Sequence, residues 1–277
     1  MDLKPRGMLD GPKAIGGNKL IFESHAHYDD LKFEEDREEV LKSFQDHEIT
    51  KVINVAADMK SSLTSVELAK EYSFIYATVG VHPHEAETIM EGDIQTLEGL
   101  AEYEKVVAIG EIGLDYYYDH SPREVQRFWF KKQIHLAKKL GLPIVVHSRD
   151  AAKDTFDLIE ESNAKEVGGV IHCYSGSKET AIQYTKLGFY IGIGGVITYK
   201  NARTVKEVVE AIPLSSILIE TDSPYLSPVP NRGKRNDSRN LPYIIEAIAN
   251  IKSISKEEVI KTTYENGMKL FLQMRQH

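Results

Sequence analysis

Six side chains of the kind that hold metal ions stand out in this sequence: His25, His27, Glu111, His147, His172 and Asp222. Four imidazoles and two carboxylates can bind divalent cations and can also manage the proton of an attacking water. His25-Ala26-His27 is a His-x-His pair. Alternate residues on a strand point the same way, so both rings can reach one ion. Glu111 lies in Gly110-Glu111-Ile112-Gly113-Leu114-Asp115, where the glycines allow a tight turn that exposes the carboxylate. A carboxylate between two ions can bridge them at the roughly 3.5–4 Å that two-metal hydrolysis needs. His147 and His172 each follow an apolar run and precede small or polar residues, which makes them a natural pair for a second ion. Asp222, in Glu220-Thr221-Asp222-Ser223-Pro224-Tyr225, can bind the first ion and accept a proton, and both functions mark Asp222 and Glu111 as catalytic candidates. Glu220 shares the face of Asp222 by period-two alternation and is expected to orient a ligand from behind.

These residues span almost 200 positions, and each stands near the end of a short apolar run that reads as a strand. The runs are Leu20–Glu23, Lys51–Ala56, Ile75–Val81, Val106–Ile109, Pro143–Val146, Gly169–Ile171, Phe189–Ile193 and Ile217–Ile219. Between them lie helical segments. One starts at Ser121-Pro122, as N-cap and proline at N1, and stops at Gly141; another runs from Ser177 to Gly188. Strands alternating with helices imply a parallel sheet. An open doubly wound sheet does not bring together ligands from the first, fourth, fifth, sixth and eighth strands. A single (β/α)8 TIM-type barrel does, at the C-terminal rim of its strands. Leu241–Asn250 and Lys256–Met274 are expected to be closing helices, and Phe128-Trp129-Phe130 to be core rather than a cofactor box.

The chain has 277 residues, enough for one barrel domain over 20–277, with residues 1–19 expected to be a flexible N-terminal extension. That extension carries no apolar signal core, and the lone Cys173 suits a reducing compartment, so a cytoplasmic location is expected. No run approaches the ~20 apolar residues of a membrane span. The net charge of −8 excludes a protein that grips nucleic acid by a broad basic surface. Any such substrate must be held by metal ions and a local patch. Arg232, Lys234 and Arg235, three cations in four positions beside the rim, are the expected phosphate contacts. His82, in Gly80-Val81-His82-Pro83-His84, is a further candidate for substrate contact or ligand support. Tyr116, Tyr117 and Tyr118 could stack on bases or pack their own loop.

From about Ile21 to the C-terminus these motifs resemble the TatD-type metal-dependent deoxyribonucleases of the amidohydrolase superfamily. The resemblance rests on Ser24-His25-Ala26-His27, Gly80-Val81-His82-Pro83-His84, the Gly110–Asp115 string, His147-Ser148-Arg149, His172-Cys173-Tyr174-Ser175-Gly176 and Glu220–Tyr225 in this order. It departs at Glu23, Ala26, Tyr174 and Asn231, none of them a proposed ligand. The resemblance implies that His25, His27, Glu111 and Asp222 bind one divalent ion and Glu111, His147 and His172 a second. It points to Mg2+ or Zn2+, with Mn2+ as a further possibility. It also implies a deoxyribonuclease, expected to act as a 3′–5′ exonuclease on single-stranded or frayed DNA ends. The alternative within hydrolases is an amide, ester or lactone substrate. Several superfamily relatives of that kind bridge their ions with a modified lysine, where this chain has Glu111. A binding protein that keeps the site as a relic ranks last, because no ligand is missing.

Overall fold

The computed structural model describes residues 20–273, so the extension expected over 1–19 lies outside the described residues. Eight strands form one parallel sheet in sequential order: β1 Ile21–Ala26, β2 Ile49–Asn54, β3 Ile75–Val79, β4 Val106–Asp115, β5 Ile144–Arg149, β6 Gly169–Ile171, β7 Tyr190–Ile193 and β8 Ile217–Ile219. The sheet curls until β8 meets β1. Asp222 N donates to His25 O at 2.9 Å, His27 N to Ser223 O at 2.8 Å, and Ser24 Oγ to Ile219 O at 2.9 Å. The expected (β/α)8 barrel is therefore the observed architecture. Nine α-helices surround it among the described residues: α1 Arg37–Ser43, α2 Met59–Glu71, α3 Glu91–Ala101, α4 Arg123–Leu140, α5 Ala152–Glu161, α6 Lys178–Lys186, α7 Arg203–Ala211, α8 Leu241–Lys252 and α9 Lys256–Gly267. None of them is long and apolar enough to cross a membrane.

Period-two alternation sorts the strand residues into two cores. Ile21, Val52, Ile75, Ile144, Ile171 and Ile217 pack outward under the helices. Phe22, Ile53, Val107, Val145, Val170 and Leu218 fill the barrel axis, and Leu270 and Phe271 close its lower end. Continuing the inward series by two residues from Val145, Val170 and Leu218 reaches His147, His172 and Glu220. Filling the axis and aiming the site are thus one pattern.

The fourth strand differs from expectation. No turn follows Ile109; β4 runs on through Glu111 to Asp115, paired with β5 as far as Asp115↔Arg149. The glycines act by letting β5 approach. A Cβ on Gly110 would lie 2.6 Å from Val145 Cβ, and one on Gly113 only 2.0 Å from His147 O. Glu111 consequently projects from within a strand rather than from a loop, which holds it more rigidly.

Helix α4 supplies two further supports. It ends at Gly141 with φ +65°, as expected, while its first turn starts after Pro122 rather than Ser121. Trp129 and Phe130 are buried, whereas Phe128 is exposed. On its buried face, Gln126 bonds both N and O of Asp115, at 2.9 and 3.1 Å. Gln133, two turns on, does the same for Val81, at 2.8 and 3.0 Å. Each glutamine amide replaces the ladder partner that the end of a strand lacks.

Glu220 lies wholly inside the barrel and needs the space that Gly192 leaves: a Cβ there would stand 2.4 Å from Glu220 Oε2. Gly192→Ala should therefore cost about 1–3 kcal/mol of unfolding free energy in chemical denaturation. The penalty should shrink in a Glu220→Ala background, since the clash is pairwise. Strictly additive costs would show that Gly192 and Glu220 do not compete for this space.

Candidate metal centre

The site is built around Glu111, which is 3% exposed. Its two oxygens address different partners. Oε2 is 3.3 Å from His25 Nε2 and 3.8 Å from His27 Nε2. Oε1 is 2.9 Å from His147 Nδ1, 3.0 Å from His172 Nε2 and 3.5 Å from His82 Nε2. Asp222 Oδ1 completes the first group, 3.4 Å from His27 Nε2 and 3.7 Å from His25 Nε2. All six expected ligands meet at one rim. Donor atoms lie within 4.8 Å of one another in His25–His27–Asp222, in His82–Glu111–His147 and in His25–His172–Glu220.

Hydrogen bonds at the far ring nitrogens select which nitrogen faces the centre. His27 Nδ1 is 2.7 Å from the Val55 carbonyl, so Nδ1–H donates and Nε2 is left free. His147 is reversed: Nε2 is held by Asp115 Oδ2 at 3.0 Å, and Nδ1 points to Glu111. His172 Nδ1 lies 3.5 Å from Glu220 Oε1, which also accepts the Cys173 N–H. Glu220 therefore stands behind a histidine, where the alternation of β8 places it. His25 and His172 stack with ring centroids 3.8 Å apart.

Behind the first group sits Glu23, fully buried. It accepts from His25 N at 3.1 Å, Thr221 N at 3.0 Å, Thr221 Oγ1 at 2.7 Å and Ser238 Oγ at 2.8 Å, tying β1 to the segment after β8. Burial outweighs those donors and pushes its carboxyl up to about 8.

Charge in the centre is strongly coupled. Burial would raise Glu111, but the imidazoles of His172, His82 and His25 and the His147 bond hold it well below the usual carboxylate range. Burial likewise opposes ionisation of Asp222, and the His27 bond with the His172 and His25 charges outweighs it. Burial lowers His27, yet Asp222 and Glu111 prevail and raise it to about 9. His172 and His147 rise against burial, through Glu111 for the first and through Asp115 and Glu111 for the second. His25 and His82 fall, from burial and from neighbouring imidazoles. Burial and the Asp222 charge push the Cys173 thiol far up, which favours its neutral form.

A nitrogen-rich set aimed at two carboxylates suits divalent cations. His25 Nε2 and His27 Nε2 are 3.1 Å apart, a separation two imidazoles tolerate by sharing a proton or a cation. His25, His27, Glu111 and Asp222 could hold one ion, and Glu111, His147 and His172 another.

The substrate candidates divide. His82 sits within the metal group, its Nδ1 accepting from His84 N at 3.1 Å. Arg232 lies over the Tyr199 ring at 4.5 Å. Arg235 is engaged elsewhere, which corrects its expected role: its guanidinium pairs with both oxygens of Asp36, bonds Lys32 O at 2.7 Å and covers Phe33. Arg232, Lys234 and Arg235 do not line the metal cavity of about 540 Å³; Arg149 does, together with Tyr118, Tyr225 and the acidic Asp29, Asp30 and Asp58. Arg149 belongs to the His147-Ser148-Arg149 motif, but only the structure places it on the wall of this cavity. Asp115 and His84 were likewise unassigned. They bond each other at 2.9 Å, and the alternation of β4 from Glu111 through Gly113 to Asp115 was the available signal.

The family model for TatD related DNase matches residues 22–272. The chain is 42% identical over 252 residues to the uncharacterized metal-dependent hydrolase YabD of Bacillus subtilis, covering 91% of this chain and 99% of that protein. It is 35% identical to the uncharacterized metal-dependent hydrolase YcfH of Escherichia coli K12, covering 91% and 96%. Among solved structures, the TatD homolog YjjV of E. coli K12 superposes with a TM-score of 0.87 at 29% identity, covering 92% of this chain and 99% of that one.

Metal binding should release protons, because His27 holds its proton up to about pH 9 while an imidazole ligand must be unprotonated. Apparent Zn2+ affinity should rise as pH increases toward 9 and fall on acidification. Calorimetry at pH 7.5 in buffers of different ionisation enthalpy should give about one proton released or more. An affinity independent of pH would contradict the charge coupling.

Proposed function

We propose a function for a chain that belongs to the TatD related DNase family of metal-dependent hydrolases: it hydrolyses phosphodiester bonds of DNA, acting 3′ to 5′ on single-stranded or frayed ends. The observation that carries the reading is the division of Glu111, with Oε2 turned to His25 and His27 and Oε1 to His147 and His172. That is the arrangement a carboxylate needs in order to bridge two cations. When bound, divalent ions lower the pKa of water and neutralise charge developing on a phosphoryl group. Zn2+ or Mn2+ fits the imidazole-rich set better than Mg2+, which prefers an all-oxygen shell.

The chain's own residues supply the rest. Asp222 opens to the cavity, is held ionised and is fixed through its backbone bond to His25, so it can take the proton of the attacking water. Arg149 provides a fixed cation on the cavity wall for a phosphate oxygen. Asp29, Asp30 and Asp58 line the cavity too, and a polyanion crossing them would be repelled. A strand that ends there avoids this cost, which supports action on ends. An ester, amide or lactone needs no such cation, so Arg149 favours the phosphodiester reading. The same proposal places the enzyme in the cytoplasm.

Asp222→Asn should fold normally and lose about 10²-fold or more in hydrolysis of end-labelled single-stranded DNA, with metal content measured in the same sample. Full activity would remove Asp222 from the reaction, and wild-type activity confined to esters would move the site to the alternative substrate class. Arg149→Ala should weaken DNA binding and lower the salt slope by about one unit, whereas Arg232→Ala with Lys234→Ala should do less. The reverse ranking would return the phosphate contact to the loop after β8.

A further inference from the structure

We infer that Tyr117 and Tyr118, with Arg149 against both rings, form a stacking platform for unpaired nucleobases beside the metal centre; the inference rests on the nucleic-acid reading above. Three consecutive tyrosines follow β4, and they are used differently. Tyr116 is structural: its hydroxyl donates to Asp154 at 2.8 Å, and Arg123 covers its ring at 4.4 Å. Tyr117 and Tyr118 are displayed instead, 58% and 49% exposed. Loop packing does not account for two large rings held out in water.

They are nonetheless held in place. Both backbone N–H groups donate to Asp115 Oδ1, at 3.0 and 2.9 Å. The other oxygen of the same buried carboxylate holds His147 at 3.0 Å and His84 at 2.9 Å. One side chain thereby sets the distance from the displayed rings to a candidate metal ligand. Tyr118 lines the cavity that contains Glu111 and Asp222, and its ring lies nearly parallel to His120, at 5.5 Å and 5°.

Arg149 lies 4.1 Å from the Tyr117 ring centroid and 4.7 Å from that of Tyr118. Among the described residues no carboxylate pairs with it. The Tyr117 and Tyr118 rings stand at 87° to each other with the guanidinium carbon of Arg149 close to both, so the N–H groups of Arg149 are available to a phosphate and the rings keep exposed surface for bases. Aromatic faces alternating with a cation suit single-stranded nucleic acid of any sequence, because every base has a π-face. Bases inside a duplex have theirs covered by their neighbours, so the platform favours unpaired bases.

The test uses the full chain, with Asp222→Asn as the background that prevents cleavage during equilibrium binding. Affinity for a fluorescein-labelled eight-nucleotide strand is read by anisotropy for the tyrosine pair, for Tyr117→Phe with Tyr118→Phe, and for Tyr117→Leu with Tyr118→Leu. Each strand is also made with one abasic residue at successive positions. Stacking is worth about 1–3 kcal/mol per base. The leucine pair should therefore bind the intact strand about 30-fold or more weakly, and the phenylalanine pair should stay within about threefold of tyrosine. Removing one of the two stacked bases should erase about half of the tyrosine–leucine difference on a logarithmic scale, and the positions at which this happens give the register. A leucine loss that persists unchanged with every abasic strand, or no loss, overturns the platform. If the protein with Asp222 intact cleaves single strands but the binding series shows no such cycle, the platform alone fails. If it neither binds nor cleaves them, the nucleic-acid reading fails and takes the platform with it.

Discussion

A carboxylate cannot remain ionised in a protein interior without cations or hydrogen bonds around it, and Glu111 is the place where this molecule meets that requirement. Its compensation comes from four other strands or their ends: His25 and His27 from β1, His82 after β3, His147 from β5 and His172 after β6. Withdrawing any of these strands would strand a buried charge. The convergence of the strands and the composition of the site are therefore linked, because the charge on Glu111 is compensated only where these strand ends meet.

The supports around the centre follow the same logic at lower cost. Where β1 meets the segment after β8, Glu23 gathers four donors, and the backbone bond from Asp222 to His25 passes directly through two candidate ligands. At the ends of β3 and β4, Gln133 and Gln126 provide side-chain amides to the backbone groups of Val81 and Asp115. These supports hold backbone groups next to the site, and in the case of Glu23 two hydroxyls as well, which is how a rim of loops acquires the rigidity of a sheet.

The sequence revealed the fold because strand spacing and ligand placement are local signals. Gly169–Ile171 and Ile217–Ile219 coincide with β6 and β8, and the inward series ending at His147 and His172 follows from alternation alone. What it concealed depended on partners remote in the chain. Arg235 reads as a free cation until Asp36, 199 positions away, is placed beside it. Arg149 reads as an ordinary polar residue after a histidine until the barrel turns it into the cavity. Gly110 and Gly113 signal a turn by their type; only the closeness of β5 shows that they serve a strand. Asp115 was hidden by the same misreading, since a turn there breaks the alternation that would have aimed it inward.

Asp115 has a consequence for how such a protein can change over time. Its two oxygens join the loop after β4 to His147, so an insertion or deletion in that loop would displace a candidate metal ligand as well as the surface it presents. That loop is not an interchangeable part. The segment from Pro228 to Arg235 is anchored elsewhere, by Val229 N to Thr198, Asn231 to Asn240, Ser227 to the Lys234 carbonyl and Arg235 to Asp36, and among the described residues these bonds do not reach the six candidate ligands. Its length can drift without disturbing the chemistry. Changes of length should therefore be tolerated better in the loop after β8 than in the loop after β4, an asymmetry that rests on the Asp115 carboxylate.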